Sequence, residues 1–187
     1  QGIINADQLD ILSQVAERFS RGFGHITTRQ NVQFHFVPLH DVETAQRMLA
    51  AGGVTTREAC GNSVRNITAC QYAGVAADEI FDVTPYGEAM TRHFLRHELS
   101  ASLPRKFKIA FEGCQTDHVV TAINDIGFRA LENHKDGQRT RGFRVTVAGS
   151  TSIMCTTGHL LYEFLPVNEI LEVAEAIIRV YHRLGDY

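Results

Sequence analysis

Apolar and polar positions across residues 5–53 follow a helix, strand, helix rhythm. Leu9, Leu12, Val15, Ala16 and Phe19 recur at helical spacing and share one face. Asn5, with Gln8 three residues on, carries the signature of a capping box at the start of that helix. Gly22 and Gly24 break the pattern, and a strand is predicted from His25 to Val37. Successive strand side chains point to opposite faces. One face would carry Thr27, Arg29, Asn31, Gln33 and His35. The other would carry Thr28, Gln30, Val32, Phe34 and Phe36, and its apolar half can pack on the helices. Asp41 caps a second helix containing Val42, Ala45 and Leu49, which Gly52-Gly53 stops. This is most of a ferredoxin-like split β-α-β unit, whose first strand would lie before Gln1.

A second region starts near Val54 with a polar stretch, Thr55 to Cys70. The spacing predicts a helix over Pro85–Leu99, with Pro85 in its first turn. It predicts strands over Phe107–Phe111, Gly127–Leu131 and Phe143–Ala148, and a polar loop over Asn133–Arg141. The last helix is capped by Asn168 after Pro166. Its buried stripe is Ile170, Val173, Ala174, Ile177, Tyr181 and Leu184, and Gly185 ends it. The fold class is therefore α+β: an incomplete ferredoxin-like half-domain over residues 1–53 and an α/β module over residues 54–187.

Composition narrows the classes. The 187 residues are 44% hydrophobic and 21% charged, close to the globular average, so a sizeable core can form. The net charge of −3 argues against a general nucleic-acid binder, although an average can hide a local basic patch. No apolar run approaches the roughly 18–20 residues of a membrane span, and no secretory signal is visible. A chain that opens on Gln1 and closes on Leu184-Gly185-Asp186-Tyr187 reads as a fragment. Cys60, Cys70, Cys114 and Cys155 are widely spaced, which favours reduced thiols and a cytoplasmic location over a disulfide scaffold. Their spacing gives no zinc or iron–sulfur signature, and such cysteines are more often small buried hydrophobes. His93 and His97, four apart, suggest a metal pair, but with no third ligand in sequence an exposed helix face is the plainer reading. No metal ligand is assigned.

Three stretches can carry chemistry. The Arg29 face of the first strand is a row of hydrogen-bond donors suited to a ligand bearing several carboxylates or phosphates. It could equally be a solvated sheet face. Lys106 and Lys108, two apart in a strand, share a face, whereas Arg105, Phe107 and Ile109 point the other way. Two adjacent ammonium groups repel unless an anion lies between them, although the exposed start of a strand is the simpler alternative. In Cys60-Gly61-Asn62-Ser63-Val64-Arg65-Asn66, Gly61 permits a tight turn and Arg65 and Asn66 follow as donors.

These three stretches resemble, in order, motifs of the sirohaem-dependent sulfite and nitrite reductases. Thr27-Thr28-Arg29-Gln30-Asn31-Val32-Gln33-Phe34-His35 resembles their T-x-R-Q-x-x-Q-F-H strand. Gly61-Asn62-Ser63-Val64-Arg65-Asn66 resembles their G-[ND]-x-x-R-N turn. Leu103-Pro104-Arg105-Lys106-Phe107-Lys108 resembles their L-P-R-K-F-K strand. The resemblance implies reduction of sulfite to sulfide, or of nitrite to ammonia, by six electrons. Sirohaem would bind the substrate and a [4Fe-4S] cluster would feed it from a ferredoxin or flavoprotein donor. A complete chain of this family has two pseudo-symmetric repeats, and this chain resembles the first. By position, Arg29, Gln33 and His35 would contact the sirohaem, and Arg105 would face one of its carboxylates. Arg65, Lys106 and Lys108 would surround the substrate anion as catalytic groups and also contact the cofactor.

Three departures qualify the match. The family's cluster ligands, C-x5-C and C-x3-C, are absent, so the cluster is expected outside this chain. A further substrate arginine of the family would lie before Gln1. Where the family has a Gly-Gly-rich turn, this chain has Val147-Ala148-Gly149-Ser150. Lys108, where plant-type nitrite reductases tend to carry Asn, favours sulfite. The competing classes are a cofactor-free ferredoxin-like binding module, such as one for RNA, and a domain that has lost its cofactor. The first would need exposed aromatics among the basic residues of the sheet, and the retained cations speak against the second.

Overall fold

A computed structural model describes residues 2–135 and 138–186. The calls that rest on Gln1 and Tyr187, and the centre of the predicted 133–141 loop, lie outside the described residues. The chain forms two compact units, Gln1–Ala59 and Cys60–Tyr187.

In the first unit, helix α1 spans Ala6–Phe19 and helix α2 spans Val42–Ala51. The capping box at α1 is present. The Asn5 side chain accepts from the Gln8 backbone N–H at 2.8 Å, and the Gln8 side chain accepts from the Asn5 N–H at 3.1 Å. Leu12 and Val15 of α1 meet Ala45 and Leu49 of α2 in a small core, with Phe19, Phe34, Met48 and Val54 packed around it. Leu9, read as part of the apolar stripe, is exposed. Asp41 occupies the cap position of α2 but makes no side-chain cap bond. A 3-10 turn, Leu39–Asp41, leads into the helix instead.

The single strand predicted over His25–Val37 is instead a hairpin of two short strands, β1 (His25–Ile26) and β2 (Val32–Gln33). Gln30 N–H donates to Thr27 O at 3.1 Å, and Thr27 N–H to Asn31 O at 2.8 Å. Gln30 takes a left-handed φ of 57°. This is a three-residue hairpin loop closed by a left-handed residue. Gln stands where glycine usually signals such a turn, so the sequence pattern misses it. The alternation of faces therefore fails across the loop. Phe36, expected inside, is exposed, with the Arg21 guanidinium 3.9 Å from its ring centroid.

The second unit is a five-stranded sheet with two helices. Its strands are β3 (Thr68–Ala69), β4 (Ile109–Glu112), β5 (Ile126–Lys135), β6 (Gln138–Val147) and β7 (His159–Pro166), in spatial order β3-β4-β5-β6-β7. β3, β4 and β5 run parallel, and β5, β6 and β7 antiparallel. Helices α3 (Thr84–Phe94) and α4 (Ile170–Leu184) share one core with the sheet. At its centre Phe111 and Phe128 stack with centroids 4.6 Å apart, and Phe143 meets both edge-on. From α4, Ile170, Ala174 and Ile178 are buried, with Val173, Ile177 and Tyr181 packed beside them. Leu184, read as part of that stripe, is exposed.

Several boundaries move from the sequence reading. β5 and β6 extend through most of the predicted 133–141 loop, because cross-strand pairing continues out to Lys135 and Gln138. Glu132 there accepts an ion pair from Arg139, so polar residues serve a projecting ribbon. β7 carries no alternating signal, since most of it is exposed. α3 stops at Phe94 rather than Leu99, where Arg96 turns left-handed at φ 66°. Asn168 lies inside a 3-10 turn, Val167–Glu169, and does not cap α4.

Candidate functional site

A cavity of about 570 Å³ opens at the end of the second unit's sheet where β3, β4 and β5 begin. Arg65, Arg105, Lys106 and Lys108 line it, with Asp125, Tyr181 and the backbone of Gly61 and Gly149. Its size is that of ordinary small-molecule sites.

Backbone bonds fix each of the three segments. Arg65 N–H donates to Phe107 O at 2.8 Å and Phe107 N–H to Ser63 O at 2.9 Å, which sets the Gly61 turn beside the Leu103–Lys108 stretch. The turn needs a left-handed residue, and Gly61 supplies it with φ 85°. Arg65 Nε donates to Gly61 O at 3.1 Å, and Asn62 Nδ2 to Pro104 O at 3.0 Å. The Asp125 carboxylate accepts the Lys108 N–H at 2.7 Å, while Ile126 N–H donates to Lys108 O.

Phe107 and Ile109 are buried in the core, so Lys108 between them turns to the cavity as alternation requires, and Lys106 lines the cavity beside it. Arg105 was expected on the opposite side, yet it lines the same cavity. The reason is local: residues 104–106 precede the first pairing of this segment, at Phe107, so strand alternation does not govern them. Four cationic side chains thus face one carboxylate, Asp125. Among the described residues neither Arg105 nor Lys106 has a salt-bridge partner. Such a concave cationic surface concentrates anions.

The Val147–Ser150 turn closes another wall. Ala148 takes φ 64°, a left-handed conformation that glycine would adopt more easily. Gly149 admits no side chain, since a Cβ there would lie 2.2 Å from Ala122 O and 2.6 Å from Asn124 O. Gly149 is therefore required by packing, and Ala148 holds its left-handed conformation at some conformational cost.

Of the residues singled out in the first unit, Arg29 is half-buried in the hairpin loop, with its N–H 3.3 Å from Thr27 Oγ1. Gln33 lies in β2 and is exposed. His35 follows it, with its backbone N–H donating to the buried Ser20 hydroxyl at 3.0 Å. Arg29 does not share a strand face with Gln33 and His35, because the chain reverses between Arg29 and Gln33.

Sequence spacing pairs His93 with His97 but reads them as an exposed face and misses their partner, and it misses a second cluster entirely. His93 and His97 are half-buried and share Glu175 of α4, with His93 Nε2 3.1 Å and His97 Nε2 3.9 Å from its carboxylate. Arg179 also binds that carboxylate, which is held below its ordinary range by Arg179 and then by His93. His97 Nδ1 accepts the Leu99 N–H at 3.3 Å, which orients its Nε2 edge toward Glu175. This set is a staple between α3 and α4. The second cluster joins Cys70, Glu112, Cys114 and His118. Cys70 and Cys114 are buried as expected, whereas Cys60 and Cys155 are exposed. Burial pushes the Cys70 and Cys114 thiols above their ordinary range.

The fold and the cationic cavity define a class, and comparison with known proteins identifies it. Residues 60–187 match the family described as "Nitrite and sulphite reductase 4Fe-4S domain", and residues 1–52 match "Nitrite/Sulfite reductase ferredoxin-like half domain". The chain belongs to the nitrite and sulfite reductase family. It is 34% identical to a ferredoxin–nitrite reductase of Leptolyngbya laminosa over 98% of its length and 36% of the relative's. It is 32% identical to a ferredoxin-dependent sulfite reductase of Mycobacterium tuberculosis over 98% of its length and 32% of that chain. The NirA structure from M. tuberculosis superposes with a TM-score of 0.83 at 32% identity, covering 95% of this chain and 32% of that one. A dissimilatory sulfite reductase shares the fold at 13% identity and a TM-score of 0.82. The chain spans about a third of the length of the curated relatives it matches.

Proposed function

We propose that this chain supplies the sirohaem- and substrate-holding part of an assimilatory sulfite reductase, which carries sulfite to sulfide by six electrons. The observation that supports this most is the gathering of Arg65, Arg105, Lys106 and Lys108 around one cavity with a single carboxylate. That donor set fits a polyanionic macrocycle and a small oxyanion. Arg65, Lys106 and Lys108 would act on the anion and Arg105 on a cofactor carboxylate. Arg29, Gln33 and His35 would act on the sirohaem, with residues 1–53 as the ferredoxin-like part and residues 54–187 as the cofactor part. Sirohaem supplies the iron that binds the substrate and the redox chemistry.

The chain's own work in this reading is electrostatic. Lysine and arginine groups offset the charge of bound sulfite where water is scarce, and the lysine ammoniums can deliver protons as oxygen leaves as water. The [4Fe-4S] cluster has no home in these residues. Among the described residues Cys60 and Cys155 are exposed and only Cys70 and Cys114 pair, so no set of four thiols converges. The cluster would come from a second repeat, and the electrons from a ferredoxin or flavoprotein.

Nitrite is the competing substrate, supported by the nitrite reductases among the relatives. Lys108 favours sulfite, whose greater charge a second lysine suits. The test is an absorption spectrum of the protein purified from cells that make sirohaem, before and after each anion. A Soret band with a lower-energy isobacteriochlorin band, shifting at lower sulfite than nitrite concentration, is expected. A tighter response to nitrite would reverse the substrate, and a colourless folded protein would overturn the reading.

A further inference from the structure

At the opposite ends of the parallel strands lies a second constellation that the reductase reading does not use. Thr68 pairs with Ala110 and Ala69 with Phe111, so Cys70, just past β3, comes level with Glu112, the last residue of β4. The carboxyl ends of adjacent parallel strands are where α/β sheets most often bind ligands. Cys114 follows two residues later, and the loop then returns His118 over the pair.

The four ligand atoms all lie within 4.8 Å of one another, and three of their six separations are defined closely. Cys70 Sγ lies 3.7 Å from Cys114 Sγ and 3.5 Å from His118 Nδ1. His118 Nδ1 lies 3.7 Å from Glu112 Oε2. With metal–ligand bonds of about 2.3 Å to sulfur and about 2.1 Å to nitrogen or oxygen, tetrahedral zinc has edges near 3.8 Å (S–S), 3.6 Å (S–N) and 3.4 Å (N–O). The three observed edges follow that set to within about 0.3 Å.

The surroundings hold these ligands in place. Glu112 is fully buried, and its carboxylate accepts the backbone N–H groups of Cys114 at 2.9 Å, His118 at 2.6 Å and Val119 at 3.3 Å. Cys114 is fixed by Ile80 N–H to Gly113 O at 2.8 Å and Gln115 N–H to Asp78 O at 3.0 Å. The Tyr72 ring packs edge-on against His118 at 4.9 Å. His118 is half-buried and marks the route of entry.

We propose that Cys70, Cys114, His118 Nδ1 and Glu112 Oε2 form a structural zinc site that ties β3 and β4 to the 113–119 loop. Binding displaces the two thiol protons to solvent and changes no oxidation state.

The test is elemental analysis and zinc-edge X-ray absorption of the purified protein, cofactors included, prepared under reductant. About one zinc per chain with two sulfur scatterers is expected. Cys70→Ser combined with Cys114→Ser should lose that zinc. Because these thiols are buried, His118→Ala is the second variant. It leaves both sulfurs in place and should weaken zinc binding more than about 100-fold. Protein that lacks zinc and takes up none from micromolar Zn²⁺ would overturn the proposal. So would a Cys70–Cys114 disulfide in protein never exposed to oxidant, or full zinc occupancy in both variants.

Discussion

Lys106 and Lys108 are held differently, although both line the cationic cavity. Lys106 is exposed, whereas Lys108 is half-buried and its backbone is tied to the Asp125 carboxylate. If the cavity holds the substrate anion as proposed, alanine at either position should lower substrate turnover of the complete enzyme by about 10²-fold, the typical cost of removing one preorganised charge-stabilising group. Sirohaem content, read from absorbance per protein, should fall far less. Equal loss of both would make the lysines cofactor ligands only. Arg29→Ala should instead lower sirohaem occupancy, and full occupancy in that variant would remove Arg29 from the cofactor's contacts. At this scale the sequence revealed the residues better than their directions. Motif order picked out Arg65, Lys106 and Lys108, which the structure gathers. The direction of Arg105 was misread because strand periodicity was extended past the first paired residue. The partner shared by His93 and His97 was invisible, since Glu175 lies far along the chain and only tertiary packing brings it near.

Among the elements, those with strong periodicity were legible. α1 and α4 stand close to their predicted limits, and the parallel strand β4 announces itself by its apolar run. The hairpin at Thr27–Asn31 and the edge strand β7 were not legible. The first turns on a left-handed Gln and the second is mostly exposed, so neither carries the residue types that mark it. The Val147–Ser150 turn offers a paired test. Gly149→Ala forces a Cβ onto the Ala122 carbonyl and should destabilise by about 2 kcal/mol or more in urea unfolding. Ala148→Gly should be neutral or stabilising by up to about 1 kcal/mol, because it relieves a left-handed alanine. The α3–α4 staple gives a pH signature. Glu175 is held below its ordinary value of 4.5 in the folded protein, so its contribution is fully present above that pH. It is lost as pH falls below 4.5 and protons bind the unfolded chain first. Glu175→Gln should therefore flatten the acid limb of a stability–pH curve. An unaltered acid limb would dismiss the staple.

Across the second unit, the sheet joins two kinds of connection. Its antiparallel half closes over short distances in sequence, as in the pairing of Asn133 with Thr140. Its parallel half closes over long ones, as in the pairing of Thr68 with Ala110. Loop-closure entropy must be met before distant contacts repay it. The β5–β6–β7 ribbon should accordingly gain amide protection first in pulse-labelled hydrogen exchange during refolding, and β3 and β4 last. Simultaneous protection of all five strands would contradict that order. Arg65 enters the cavity from just before β3, and Lys106 and Lys108 from just before β4. The mutually repelling charges are thus brought together only in the final docking event. A chain paused short of that event keeps its like charges apart, and a polyanion present during maturation would act as the template that draws the last strands home.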